Sequence, residues 1–306
     1  MQRFKTLLLR EWMQHRSGWM VMMAAPFVLT LLMSIFGSVH VNVDRLSPLQ
    51  ASDGRLSSLG LALLAIGATA YLTLFLVWMA NLIQAPGLAR RDQQDRSIEF
   101  WLSLPAGHVQ SLLATLLMHL VLVPITAMAA GLAGGVIVAV VLVLHVSGFS
   151  DLAALPGPAI AYAAVSGLAS TAVGLVLATL WLSPMVLGTM AASAWLKRWG
   201  VAAVIGGGVI LHQLLAKVYG ITVVGDTIQA WFSKASFAVT GDGSRGVFPG
   251  AENLADLERA LLAFPQRELS NLGTAIAQLA SPLFLMALLI AAACFALLVL
   301  RRQRGA

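Results

Sequence analysis

RRDQQDRSIEFWLSLPAG, residues 90–107, crowds three arginines and three acids into a chain whose neighbouring stretches carry no charge at all. On its N-terminal side residues 56–89 are uncharged, and on its C-terminal side so are residues 100–150. A charge at the centre of a membrane-spanning helix costs at least about 2.5–3.5 kcal/mol on insertion scales. Charges therefore collect where the chain leaves lipid, and this segment reads as a turn-around between two spans. Within it, Arg91 and Asp95, and Asp92 and Arg96, stand four residues apart. Such pairs support an exposed helix. Ile98, Trp101 and Leu102 give it an apolar side, and Pro105 ends it before the next span.

Composition agrees with this beginning. The chain has 306 residues, 59% of them hydrophobic and 10% charged, against about 25% charged in a soluble domain. A soluble fold of this size cannot hide so much apolar surface, and lipid is the natural solvent for it. The net charge of +6 does not indicate nucleic acid, because the basic residues form no single patch interleaved with aromatics. Cys294 is the only cysteine, so no intrachain disulfide forms, and it reads as a small buried hydrophobe. The uncharged run 17–43 is 27 residues long, well beyond the roughly 7–15 of a signal-peptide core. It reads as a retained span.

About 20 residues cross the hydrocarbon. The charge-free windows are 17–43, 56–89, 100–150, 152–196, 199–216 and 269–300. They predict an all-α membrane protein with helices over 19–39, 58–83, 109–143, 157–182, 199–217 and 276–300. The window 152–196 is long enough for either one helix broken near Ser183-Pro184 or two short spans. The distribution of Lys and Arg decides. With six spans both termini share one side, which then holds twelve Lys and Arg against seven on the other. By the positive-inside rule both ends are cytoplasmic, and the chain is expected to be a multi-pass protein of the cell's inner (cytoplasmic) membrane.

Outside the spans, Phe4, Leu7, Leu8 and Trp12 share one helical face of residues 1–18, with Arg3, Lys5, Arg10 and Gln14 largely opposite. This amphipathic pattern predicts a helix lying in the headgroup layer. The external segment 218–275 begins YGITVVGD, turns at TGDGSRG and ends in ENLADLERALLAF. There Leu254, Leu257, Leu261 and Leu262 predict a short helix packed on the membrane domain or lying at the interface. Gly131 and Gly135 make a G-x-x-x-G, and Gly206, Gly207 and Gly208 sit together in the fifth window. Small residues let helices approach closely in lipid.

Recognisable chemistry is absent. There is no phosphate-cradling G-x-x-x-x-G-K-[ST], no G-x-S-x-G and no H-E-x-x-H. His15, His40, His108, His119, His145 and His212 show no metal-ligand spacing along the chain. His119 and His212 fall inside spans, where an ionisable group is notable; a neutral ring bonded to a neighbouring helix explains them most simply. Met20, Met22 and Met23 read as packing. The best candidates for a membrane-embedded lipid-modifying enzyme are Asn81, Gln84, His108 and His119, and they form no recognisable set. A membrane scaffold is the other alternative.

Three stretches together resemble the permease subunits of type-2 ABC exporters. They are FKTLLLREWMQHRSGWM with its REW-x-x-HR core, DRSIEFWLSLPAG with its acidic–aromatic "SLP" ending, and WLSPMVLGTMAASAWLKRWG before the fifth span. The resemblance covers nearly the whole chain. It implies a six-span permease that pairs with a second copy and binds two copies of a separate ABC ATPase. ATP and Mg²⁺ would be held by that ATPase and no cofactor by this chain, which would itself be no enzyme. It also implies a connecting helix at 1–18, carrying Phe4, Leu7, Leu8, Arg10, Glu11 and Trp12. A coupling helix within 88–107 would contact the ATPase through Arg90, Arg91, Asp92, Asp95, Arg96, Glu99 and Trp101. The glycines at 206–208 would lie near the dimer axis.

Overall fold

The computed structural model describes residues 2–36, 57–94, 107–242 and 254–304, with side chains for 4–36, 57–89, 107–242 and 255–303. Every regular element among them is helical. A bilayer offers no partner for backbone N–H and C=O groups, so helices, which satisfy their own, are the expected solution for such apolar runs. The helices are α1 (Gln2–Phe36), α2 (Ser58–Gln94), α3 (His108–Leu117) and, after a π-helical turn (Met118–Leu122), α4 (Val123–Val146). Then come α5 (Phe149–Ala153), α6 (Gly157–Leu196), α7 (Gly200–Tyr219), α8 (Val223–Thr240), α9 (Leu254–Ala277) and α10 (Pro282–Arg304). Among the described residues five helical stretches are long and apolar enough to cross a membrane: Phe4–Phe36, Ser58–Ala89, His108–Val146, Gly157–Tyr219 and Pro282–Gln303. This is a multi-pass membrane protein.

α2 packs along α4. At Gly131 an added Cβ would lie 2.8 Å from Ala70 Cα, and at Gly135 2.8 Å from Ile66 Cα. The G-x-x-x-G of the sequence is thus an intrachain crossing in which only hydrogen fits between the backbones. Around it Leu61, Ala62, Val138, Leu142 and Val143 form one core cluster.

α6 is the central rod, packed by α2, α7, α8, α9 and α10. Phe284 meets Trp181 edge-on with ring centroids 5.1 Å apart, and further along Arg301 Nε donates to the Ala194 carbonyl at 3.3 Å. α10 therefore runs beside α6 in the same direction. The window 152–196 resolves as one helix, Gly157–Leu196, with Pro184 inside it. Proline leaves the carbonyl four residues back without its helical partner. Here that carbonyl, of Leu180, accepts from Ser183 Oγ at 2.7 Å, which is how the helix survives. α6 ends at Lys197, whose φ of 54° lies in the region that residues bearing a Cβ seldom enter.

Three segments differ from the sequence reading. Residues 2–18 do not form a separate helix, because α1 runs from Gln2 to Phe36 as one element; polar contacts described below pull its first turns onto the bundle. Among its described residues the segment 218–275 holds two helices, α8 and the greater part of α9, where one was expected. Despite its β-branched start, α8 is helical, because Trp231, Ala235 and Ala238 recur at helical spacing and are all buried; tertiary packing overrides strand propensity. In α9, Leu257 and Leu261 are buried as expected but Leu262 is 63% exposed, and the side chain of Leu254 is outside the described residues.

Candidate functional site

Where the N-terminal half of α1 meets the start of α3, polar side chains are buried together. Leu7, Glu11 and Trp19 are buried along one stripe of α1, with His15 half-buried between them. Their spacing of four residues puts them on one face. Glu11 is fully buried. Its Oε1 accepts from Arg10 Nη2 at 2.5 Å and from Thr115 Oγ1 of α3 at 3.2 Å. A buried carboxylate is tolerated only when paired and hydrogen-bonded, and Glu11 is both.

His119 enters from the π turn and is 1% exposed. The turn has a local cause. Pro124 cannot donate a helical bond back to Leu120. The Leu120 carbonyl instead accepts from Thr179 Oγ1 of α6 at 3.4 Å, and the Val123 N–H closes a wider ring onto Met118 O. Single π turns inside α-helices often occur at functional sites, and this one carries His119 among the aromatics of α1. Its ring lies edge-on to His15 at 5.0 Å and to Trp19 at 5.1 Å. His15 stacks on Trp19 at 5.2 Å, and Trp19 packs on Trp12 at 5.6 Å. Trp19 Nε1 then donates to Asn81 Oδ1 of α2 at 3.3 Å. The cluster thus ties α1, α2 and α3 together at one end of the bundle.

Of the expected connecting-helix residues, Leu7 and Glu11 are buried, while Phe4, Leu8, Arg10 and Trp12 are half-buried. Arg90, Arg91 and Asp92 belong to the last turns of α2, whose backbone continues to Gln94. Their side chains, and Asp95, Arg96, Glu99 and Trp101 altogether, lie outside the described residues. Gly206, Gly207 and Gly208 have no atom within 4 Å of where a Cβ would stand, and Gly200 is the only buried residue of α7. Within the polar set considered for an enzyme, Asn81 and His119 converge on Trp19, but Gln84 is exposed and His108 opens α3, so no catalytic grouping results. The convergence of His15, His119 and Glu11 was not visible in the sequence, where 104 positions separate Glu11 from Thr115.

A second feature lies nearer the other end. A cavity of about 120 Å³ opens between α2, α4, α6 and α9, lined by Ile66, Ala70, Met128, Ala163, Leu261 and Phe264 among others. Tyr71 also lines it. Close by, Ser170 Oγ donates to Glu268 Oε2 at 3.1 Å, and the Arg267 guanidinium lies 5.1 Å over the ring of Phe264, a lining residue.

Set against protein-family models, curated proteins and solved structures, the chain matches none. Its reading rests on residues and geometry.

Proposed function

We propose that this chain is the membrane-spanning permease subunit of a type-2 ABC exporter, working with a separate ATPase in the cell's inner (cytoplasmic) membrane. The observation that carries the reading is the meeting of two segments at one end of the bundle. The REW-x-x-HR helix is held to α3 through Glu11 and Thr115. α2 passes beyond its apolar part into Arg90, Arg91 and Asp92, just past Ala89, which shares a core cluster with Leu112 of α3. In such a permease the charged segment between the second and third spans is the part the ATPase grips, and the first helix lies beside it.

Six spans with both ends cytoplasmic suit this arrangement. The stretch Gly157–Tyr219 is 63 residues long, about 95 Å as helix, enough for two crossings separated at Lys197. The almost wholly exposed α7 offers a face to a second copy, with Gly206 to Gly208 leaving room for close approach. ATP-driven closure of two ATPases would move the charged segment, and packed helices answer such a push by switching between discrete arrangements. The apolar cavity, with Tyr71 in its lining and Arg267 over the ring of Phe264, favours an amphiphilic cargo over a fully polar one.

The test is purification of the tagged chain from its native membrane in mild detergent. The reading expects a P-loop ATPase in roughly equal amount and ATP hydrolysis stimulated by amphiphiles. Folded chain recovered with no nucleotide-binding partner and no hydrolysis would overturn it.

A further inference from the structure

We propose that Glu11, His15 and His119 form a binding site for a first-row divalent cation, zinc being the best match, that clamps α1 onto the third helical rod. One nitrogen of each ring and one Glu11 carboxylate oxygen already lie within 4.8 Å of one another. Around a tetrahedral zinc, with bonds of about 2.0–2.2 Å, ligand atoms stand roughly 3.3 Å apart. The three groups therefore need only small side-chain rotations to close on an ion, without backbone movement.

The rings are set in the right tautomer. His15 Nδ1 lies 3.2 Å from the Glu11 carbonyl, and His119 Nδ1 lies 3.1 Å from the Thr115 carbonyl. A carbonyl only accepts, so each Nδ1 is the donor, and in the neutral ring that leaves the lone pair on Nε2. Ligating histidines are held in this way, by a second-shell bond from the other ring nitrogen. The ligand set is also chemically selective. Two imidazoles and one carboxylate with a fourth position for water is a common zinc arrangement, and it is too rich in nitrogen for calcium or magnesium. Burial of Glu11 and His119 among Trp12 and Trp19 lowers the local dielectric and strengthens ion–ligand attraction. Arg10, bonded to the same carboxylate, opposes the cation's charge and keeps the site reversible rather than permanently filled.

Two of the ligands are on α1 and one is on the π turn, so the ion would reinforce a junction now made by ring packing and by the Thr115–Glu11 hydrogen bond. The site stands on this geometry and does not depend on the exporter reading.

The test uses the full-length chain, purified in detergent through a tag without histidine and stripped of metal, then titrated with cobalt(II) and zinc. One equivalent of cobalt should give the intense visible absorption of a four-coordinate ion with nitrogen ligands, and zinc should displace it. His15→Ala is the primary variant because its ring is only half-buried. It should weaken binding by more than roughly 100-fold, beyond the ~10–100-fold typical of losing an outer-shell partner. His145→Ala, at an exposed position on α4, should bind as the parent does. Absence of the cobalt spectrum in the parent chain, or binding unchanged by His15→Ala, overturns the site. Both readouts are independent of transport and of any ATPase.

Discussion

Replacing Arg10 with alanine is expected to cost the folded protein about 3–5 kcal/mol, the range for a buried ion pair stripped of one partner. Glu11 is completely buried and Arg10 is 11% exposed, so the substitution removes from a carboxylate in a low-dielectric setting the cation that sits on it. Thr115 supplies one hydrogen bond to the same oxygen, which does not replace a charge. Glu11→Gln should cost less. It keeps an oxygen for Thr115, and Arg10, at the edge of the bundle, can turn toward water or phosphate headgroups as long basic side chains do. The order of thermal stabilities in detergent should be parent, then Glu11→Gln, then Arg10→Ala. Equal melting of Arg10→Ala and parent would mean that this pair does not anchor α1.

The second large effect concerns the segment between α2 and α3. On the exporter reading Glu99 and Trp101 face the ATPase, so Glu99→Ala and Trp101→Ala should each leave expression and folding intact, a surface charge contributing at most about 1 kcal/mol to stability. On that reading each should nonetheless uncouple the ATPase from transport. Loss of one partner of a desolvated interfacial pair costs roughly 2–5 kcal/mol, which lowers docking affinity by about 30-fold or more at 1.4 kcal/mol per decade. Tryptophan is a frequent anchor at interfaces, so Trp101→Ala should act in the same direction. The measurement is ATPase retention on the immobilised permease together with transport into vesicles. Normal values for both variants would return the segment to the status of a connecting loop.

Much of the architecture could be read before any coordinates, for a reason that lies in the solvent. Lipid penalises charge and unpaired backbone groups so strongly that uncharged runs and helices nearly coincide. The predicted 109–143 became His108–Val146, and 199–217 became Gly200–Tyr219. Even the intrachain crossing at Gly131 and Gly135 was marked by its spacing. What escaped depended on packing between helices distant in sequence. Nothing in the spacing of the histidines indicates that His15 and His119 touch, because their meeting requires α1 to lie along α3 and Pro124 to force a π turn. The route of residues 2–18 escaped for a related reason. The apolar face carrying Leu7 also carries Glu11, and a carboxylate on that face suits a partner helix better than a headgroup layer. The α8 stripe of Trp231, Ala235 and Ala238 was legible in principle, but it is broken up by Asp226 and Lys234 and does not resemble a span.

One measurement tests the central claim, that the charged stretch between the second and third helices is where this permease is driven by an ATPase. A photo-cross-linking amino acid placed at position 101 in the full-length chain, and activated in living cells, reports what lies against that side chain. The account predicts a covalent adduct with a P-loop ATPase, identified by mass spectrometry. It should be diminished by Glu99→Ala in the same chain. Adducts confined to lipid or to the chain itself, in cells where the protein is folded in the membrane, would contradict it.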